Sequence, residues 1–259
     1  MKNKNCSRPL KTISFCLMLC AAFLTGSASA QTNSSRILTS EFKWSADRSV
    51  KMPYLYYLPK DYKSDRNKRW PIMLFLHGAG ERGTNLSRVA VHGPLKLVNQ
   101  GREFPFIIIA PLCYSKTHWD NAPLLGLLEH VTRQFRADTN RVYLTGLSMG
   151  GYETWDLGLA YPETFAAIAP LCGGGNMIDP IVTRNDKPEA FLSLPIWAFH
   201  CDGDPTVPLE ESTRMVDKLK KLGCAEVKLT VYHSNKHDCW TQAYDTPELY
   251  DWFLSHKRN

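Results

Sequence analysis

The chain has 259 residues, of which 44% are hydrophobic and 22% are charged, a composition typical of a soluble globular protein. This length allows one α/β domain with a sizeable core and excludes two full domains with a linker. The formal net charge is +6, but the first thirty residues contain four of the 31 Lys and Arg residues and no Asp or Glu. The rest of the chain therefore carries only +2, which argues against nucleic acid or an anionic membrane as a partner.

The first thirty residues are predicted to be a secretory signal peptide. A positive start is followed by an apolar, uncharged run over residues 13–24 and by the small-residue pattern Ala28-Ser29-Ala30. We predict cleavage after Ala30, export to the periplasm or the medium, and a single domain over residues 31–259. A membrane anchor is the alternative, but the apolar run is shorter than the about 20 residues of a spanning helix. Lipoprotein processing at Cys20 is a second alternative, which the lack of a small residue just before that cysteine disfavours.

Five of the eight cysteines lie beyond the predicted cleavage site. They are Cys113, Cys172, Cys201, Cys224 and Cys239. Export permits disulfides, and the odd number leaves at least one thiol unpaired within a monomer. The sequence contains no Cys-x-x-Cys pair and no clustered ligand spacing, so we predict no metal site.

The first half of the chain predicts mainly strands. Two early strands are predicted over residues 37–44 and 52–58. Unbroken apolar runs over residues 71–76 and 106–110 indicate strands that are buried on both faces of a parallel sheet. Apolar residues at helical spacing then predict a helix over residues 124–135.

The second half of the chain alternates strands with helices. The predicted strands are residues 141–144, 165–171, 195–200 and 227–232, and the predicted helices are residues 149–161, 209–222 and 247–256. This alternation predicts an open, mostly parallel α/β sheet flanked by helices on both faces. Ligands bind such sheets at the carboxyl ends of the strands, where this chain places several polar or glycine-rich segments.

Ser148 stands in a Gly-x-Ser-x-Gly pattern between a predicted strand and a predicted helix. Gly146 and Gly150 have no Cβ to clash where strand and helix approach each other, so the turn can hold Ser148 in a strained, exposed conformation. That conformation suits a nucleophile, although the same pattern also occurs in simple glycine-rich turns.

A serine nucleophile needs a histidine base and a carboxylate that orients the histidine. Asp202 and Asp204 both follow the strand predicted over residues 195–200, and His233 and His237 both follow the last predicted strand. The residues alone leave both choices open.

Three motifs together resemble those of the α/β-hydrolase superfamily, in its phospholipase/carboxylesterase and prolyl-oligopeptidase-like branch. They are Leu76-His77-Gly78-Ala79-Gly80, Gly146-Leu147-Ser148-Met149-Gly150-Gly151 and Asp204-Pro205-Thr206-Val207-Pro208. The resemblance covers roughly residues 50 to 256 and implies the α/β-hydrolase fold.

The resemblance also implies the roles of a catalytic triad. Ser148 is then the nucleophile, and the Asp of the Asp-x-x-Val-Pro motif is the acid, which selects Asp204. The family histidine lies a few residues past the last strand, which selects His237 as the base. The chain departs from the family in having Lys236 where a glycine usually precedes this histidine, so His233 remains the alternative.

The oxyanion hole needs two backbone N–H donors, which the resemblance assigns to Ala79 and Met149. His77 is expected only to shape the turn before Ala79 by hydrogen bonding. Glu81 and Arg82 are expected to form a solvated charge pair, with a contact to a polar substrate as the alternative.

Two tryptophans and two cysteines lie near these segments. Trp119 is expected either to line the substrate pocket or to pack as a structural aromatic. Trp240 is expected mainly to pack against the histidine loop, with a substrate contact as the alternative. Cys201 and Cys239 flank the proposed acid and base, and we hypothesise a disulfide between them.

These features predict an exported serine hydrolase that cleaves carboxylic esters through an acyl-enzyme, without a cofactor. Only about twenty residues, 173–194, separate the predicted strand 165–171 from the predicted strand 195–200, which precedes the proposed acid. We therefore expect an open site with no large cap domain. Such a site suits an acyl or feruloyl ester of a polysaccharide. The alternatives are a small serine peptidase of the prolyl-oligopeptidase type, a phospholipase or thioesterase, and a binding protein that has lost catalysis.

Overall fold

The computed structural model describes residues 36–45 and 49–258, and the predicted signal peptide lies outside this part of the chain. At its centre is a sheet of eight strands. The strands are β1 (Ile37–Ser45), β2 (Ser49–Tyr57), β3 (Trp70–Leu76), β4 (Ile107–Pro111), β5 (Ala137–Leu147), β6 (Ala167–Leu171), β7 (Ile196–Cys201) and β8 (Val227–Tyr232). Every residue of β3 and β4 is buried, which confirms the prediction that these apolar runs are covered on both faces.

The strand order is β1-β2-β4-β3-β5-β6-β7-β8. β2 pairs antiparallel with both β1 and β4, whereas all pairs from β4 to β8 are parallel. The register sets Leu76 opposite Gly146, and Leu171 opposite both Leu147 and Phe199. The carboxyl ends of β3, β5, β6 and β7 therefore lie level at one edge of the sheet.

Eight α-helices of the described residues cover the two faces of this sheet. They are α1 (Gly93–Asn99), α2 (Asn121–Gln134), α3 (Met149–Ala160), α4 (Asp179–Asp186), α5 (Pro188–Ser193), α6 (Glu210–Leu222), α7 (Trp240–Asp245) and α8 (Pro247–Ser255). α1, α7 and α8 contribute to the core on one face, and α2, α3 and α6 contribute to the core on the other. The predicted α/β architecture, with helices on both faces, is confirmed.

Several elements differ from the sequence prediction. β5 is longer than the strand predicted over residues 141–144, and the short helices α1, α4, α5 and α7 were not predicted. Only α4 and α5 lie between β6 and β7, so the described chain has no large cap domain at this position, as predicted. In the part of the chain that the structure describes, no helix is both long and apolar enough to cross a membrane.

Candidate active site

Ser148 lies in the turn between β5 and α3 with φ 52° and ψ −116°. A positive φ is strained for a residue with a side chain, and such strain is common at functional sites. The flanking glycines permit the turn. A Cβ on Gly150 would lie 2.1 Å from the carbonyl oxygen of Leu76, and a Cβ on Gly146 would lie 2.4 Å from the carbonyl oxygen of Gly150.

Ser148, His237 and Asp204 form one continuous line of hydrogen bonds. His237 Nε2 lies 2.8 Å from Ser148 Oγ, and His237 Nδ1 lies 2.6 Å from Asp204 Oδ2. Because a carboxylate only accepts hydrogen bonds, Nδ1 carries the proton and Nε2 is left to accept the proton of the serine hydroxyl. The structure therefore brings together the three residues that the sequence analysis selected.

The loop after β7 holds Asp204 as a buried carboxylate. Its Oδ1 accepts the backbone N–H groups of Thr206 at 2.8 Å and Val207 at 3.0 Å. Burial raises the pKa of Asp204, but the hydrogen bonds from His237 and from these two N–H groups outweigh burial, so the pKa lies below its ordinary value. Asp204 is thus ionised and able to support a positive charge on His237.

The alternative acid and base pair with each other instead. His233 Nδ1 lies 2.5 Å from Asp202 Oδ2, and the side chain of His233 is 95% exposed. Asp202 also accepts the backbone N–H of Ser234 at 3.0 Å. This second pair joins the loops after β7 and β8 at the protein surface. His237, which Asp204 binds, is the histidine in contact with Ser148.

His200, to which the sequence analysis assigned no role, hydrogen-bonds the loop after β7 that carries Asp204. Its buried ring lies 2.9 Å from the carbonyl oxygen of Val207 through Nε2, and 2.7 Å from Ser212 Oγ through Nδ1. A carbonyl can only accept, so Nε2–H donates to Val207. Burial lowers the pKa of His200 even though Asp204 is near. In the sequence, only the position of His200 just before the segment with Asp202 and Asp204 indicated that it could hold this loop.

The segment after β3 runs close past Ser148. A Cβ on Gly78 would lie 2.8 Å from Leu147 Cδ1 and 3.4 Å from Ser148 Cβ. Ala79 is the first residue of a 3-10 turn, Ala79–Glu81, and Met149 is the first residue of α3. The first N–H groups of a helical segment have no acceptor within that segment. The backbone N–H groups of Ala79 and Met149, the two predicted oxyanion donors, therefore lie in segments next to Ser148.

The prediction of a solvated pair between Glu81 and Arg82 is wrong. Glu81 is buried, and its Oε2 accepts the backbone N–H of Gly78 at 3.0 Å. Arg82 donates instead to the carbonyl oxygens of Ala79 at 3.1 Å and Thr117 at 3.0 Å. The reason is that the turn folds back over Gly78, whose N–H needs an acceptor away from water.

His77 shapes the same turn, as predicted. Its Nε2 accepts the N–H of Cys113 at 3.0 Å, so its Nδ1 donates to the carbonyl oxygen of Gly78 at 2.7 Å. Burial is the main cause that lowers the pKa of His77 to about 4. A neutral ring fits this pattern of one accepted and one donated hydrogen bond.

The two tryptophans take different positions. Trp119 Nε1 donates to the carbonyl oxygen of His77 at 3.2 Å, so Trp119 has a structural role. Trp119 also lines a cavity beside Ser148, and its contact with a substrate stays a prediction. Trp240 packs edge-on against the ring of His237, with centroids 5.1 Å apart. The packing expected for Trp240 is therefore present.

The cavity beside Ser148 has a volume of about 470 Å³. Its walls include Trp119, Met149, Tyr152, Glu153, Asp156 and Gly174. The volume falls in the range of small-molecule sites. A substrate in this cavity would have its reacting group next to the serine hydroxyl.

The hypothesis of a disulfide between Cys201 and Cys239 is wrong, because all five cysteines of the described chain are free. Cys239 Sγ instead donates to the carbonyl oxygen of Phe199 at 3.4 Å. Donor atoms of Cys172, Asp204 and His237 lie within 4.8 Å of one another. Zinc uses such donor types, but Asp204 and His237 are already joined by their own hydrogen bond.

The chain is similar to several known hydrolases in sequence and in fold. Residues 126–246 match the family model described as Phospholipase/Carboxylesterase. A solved structure described as a thermostable esterase superposes with a TM-score of 0.70 at 31% identity, covering 86% of this chain and 64% of that one. A ferulic acid esterase superposes with a TM-score of 0.64 at 18% identity, covering 84% of this chain and 98% of that one, a likeness of fold.

One curated relative matches a short segment. Poly(3-hydroxyalkanoate) depolymerase C of Paucimonas lemoignei is 38% identical over 48 residues, which are 18% of this chain and 12% of that protein. The chain thus spans less than two thirds of the thermostable esterase and a small part of the depolymerase. The sheet order, the strained serine after β5 and these likenesses agree, and the chain has the α/β-hydrolase fold.

Proposed function

We propose that this protein is an exported serine hydrolase that cleaves carboxylic esters through an acyl-enzyme. The observation that carries the proposal is the line of hydrogen bonds from buried Asp204 through His237 to Ser148, beside an open cavity. A serine hydroxyl becomes a nucleophile when a histidine accepts its proton and a carboxylate stabilises the imidazolium.

The proposed reaction has two halves. Ser148 Oγ attacks the ester carbonyl while its proton moves to His237 Nε2, and the backbone N–H groups of Ala79 and Met149 stabilise the oxyanion. His237 then gives this proton to the departing alcohol, which leaves an acyl group on Ser148. Water attacks the acyl carbonyl, again losing a proton to His237, and the carboxylic acid departs as Ser148 regains its proton.

We propose acyl or feruloyl esters of polysaccharides as the substrate class. The support is an open cavity, the absence of a large cap in the described chain, the predicted export and the likeness of fold to a ferulic acid esterase. A panel of aryl, acetylated-sugar, feruloyl and long-chain lipid esters, together with peptides, tests this class. Activity on long-chain lipid esters alone, or on peptides alone, would contradict it.

Replacement of the nucleophile tests the mechanism. Ser148→Ala is expected to lower kcat for a para-nitrophenyl ester by roughly 10⁴-fold or more and to abolish covalent labelling by a fluorophosphonate. Ser64→Ala, in an exposed loop, is the matched control and is expected to retain both. Labelling or turnover that persists in Ser148→Ala would show that another residue is the nucleophile.

A further inference from the structure

Glu153 is a buried acid in the wall of the cavity beside Ser148. It lies five residues after Ser148 along α3, which corresponds to about 7.5 Å of helix axis. The whole residue is only 9% exposed, and its Oε1 is buried without a hydrogen-bond partner among the described residues. Burying an unpaired carboxyl group costs free energy, so its presence in the cavity wall calls for an explanation.

The groups around Glu153 do not neutralise it. The titratable groups that interact with it electrostatically are Asp156 on the same helix, Asp120 before α2 and Cys113 after β4. His118 and Tyr152 line the same cavity. Burial, with smaller contributions from Asp156 and Asp120, raises the pKa of Glu153 to about 8. At neutral pH Glu153 is therefore mainly an uncharged carboxylic acid, which can both donate and accept a hydrogen bond.

The rest of the cavity restricts what can approach this acid. Trp119, Met149 and Tyr152 offer apolar walls, which suit a carbon skeleton. Asp156 adds a negative charge that disfavours a carboxylate or a phosphate. A plain alkyl group would leave Glu153 unpaired, and a cation would require Glu153 to ionise against burial. A neutral hydroxyl group meets all of these conditions.

We propose that Glu153 determines specificity by hydrogen-bonding a hydroxyl group on the part of the ester that enters the cavity. This inference rests on the proposed function, because the hydroxyl group belongs to an ester that Ser148 attacks. The hydroxyl group can lie on the acyl side or on the alcohol side of the ester, and the two sources are separable by experiment.

Matched ester pairs test the proposal. The acyl pair is para-nitrophenyl hexanoate and para-nitrophenyl ω-hydroxyhexanoate, and the alcohol pair is ethyl hexanoate and hydroxyethyl hexanoate. In the wild type we expect kcat/KM to favour the hydroxylated member of one pair by about tenfold, as one hydrogen bond allows. Glu153→Gln is expected to keep most of this preference, and Glu153→Leu is expected to abolish it. The control is Glu189→Gln at an exposed position.

The outcomes separate this proposal from the proposed function. Wild-type turnover of esters without a hydroxyl preference in either pair overturns the role of Glu153 alone, as does a preference that survives in Glu153→Leu. A stronger preference for a trimethylammonium-substituted hexanoate also overturns it. If the wild type turns over no ester, the proposed function fails. In that case, calorimetry on Ser148→Ala still tests the role of Glu153. It gives the Kd of each ester, and the ratio of Kd values within a pair measures the preference for the hydroxyl group.

Stability supplies a readout that does not depend on turnover. Because the folded-state pKa of Glu153 lies above its ordinary value of 4.5, its contribution to stability is present below pH 4.5 and is lost as the pH rises toward 8. We therefore expect the Tm of the wild type to fall relative to that of Glu153→Gln between pH 4.5 and 8. At pH 8 Glu153→Leu is expected to melt above the wild type, and a lower Tm would show that Glu153 has a structural partner.

Discussion

Two Asp–His pairs lie at the carboxyl ends of β7 and β8, and they differ in burial rather than in chemistry. The side chain of Asp204 is fully buried and His237 is largely buried, whereas His233 is almost fully exposed. Water screens the exposed pair, so its interaction is weak. In the buried pair the carboxylate fixes the tautomer of His237 that can accept the serine proton.

Substitution of the two aspartates by asparagine separates these pairs. Asp204→Asn is expected to lower kcat/KM by roughly 10⁴-fold, because asparagine can stabilise the wrong tautomer of His237 and cannot support its positive charge. Asp202→Asn is the matched control, with an expected change within about twofold. Ester kinetics at pH 7 and thermal melting of both variants are the measurements. An equal loss of activity in the two variants would contradict the assignment of Asp204.

At the residue scale, the sequence predicted the role of a residue when its neighbours along the chain define its environment. Gly146 and Gly150 mark Ser148, and the Asp-x-x-Val-Pro motif marks Asp204, because the N–H groups that hold this carboxylate are two and three residues ahead. Glu81 and Glu153 were different. Nothing in their local sequence distinguishes a buried acid from a solvated one, since their burial depends on segments that only the fold brings near.

At the scale of elements, the carboxylate of Glu226 joins α8 to the start of β8. Glu226 Oε1 accepts Trp252 Nε1 at 2.7 Å and lies 2.9 Å from Lys228 Nζ, while His256 Nε2 lies 3.1 Å from Oε2. Burial raises the pKa of Glu226, but these three partners outweigh it and lower the pKa to about 2. One acid thus links the last helix to the last strand of the sheet.

Glu226→Gln is expected to destabilise the fold without changing the site. The variant loses the charge but keeps one acceptor oxygen, so we expect a loss of about 1 kcal/mol in the free energy of unfolding at pH 7. Because the folded-state pKa is lowered, the wild-type advantage is present above pH 4.5 and is lost as the pH falls toward 2. Urea unfolding at pH 7 and pH 3 measures this. An advantage of equal size at both pH values would contradict the role of the charge.

The helices that the sequence did not predict are short or carry apolar residues on the outside. α1, α5 and α7 have seven, six and six residues, too few for a helical period to emerge. In α4, Ile181 and Val182 are exposed while Pro180 and Thr183 are buried, so the usual link between apolar character and burial is reversed. α2, α3, α6 and α8 each bury one or more faces in the core, and all four were predicted.

At the scale of the whole molecule, the strand order explains why residues distant in the chain meet. Ser148 follows β5, Asp204 follows β7 and His237 follows β8, and the parallel pairs from β5 to β8 end at one edge of the sheet. The alternation of strands and helices predicted such an edge. It did not predict the order of the strands or the exact approach of His237, which depends on a loop of seven residues after β8 and on packing against Trp240.

The edge strand β1 sets a limit on how far removal of an N-terminal segment can extend into the chain. It pairs along its whole length with β2. Its side chains also cover α2. A Cβ on Gly126 would lie 2.4 Å from Trp44, and the rings of Phe42 and His130 have centroids 5.2 Å apart. A cut within β1 would expose this side of α2 and leave β2 as an unprotected edge strand.

We predict that the chain is exported and that cleavage leaves Gln31 as its first residue, six residues before β1 starts at Ile37. Cleavage after Ala30 removes the predicted signal peptide and leaves every described contact of β1 intact. Expression of the full chain in a host with a secretion pathway, followed by intact-mass measurement of the exported form, is expected to give the mass of residues 31–259. As a control, Ala28→Arg and Ala30→Arg together should block cleavage, because signal peptidases need small residues at these positions. An exported form that keeps residues 1–30, or one that begins inside β1, would contradict the prediction.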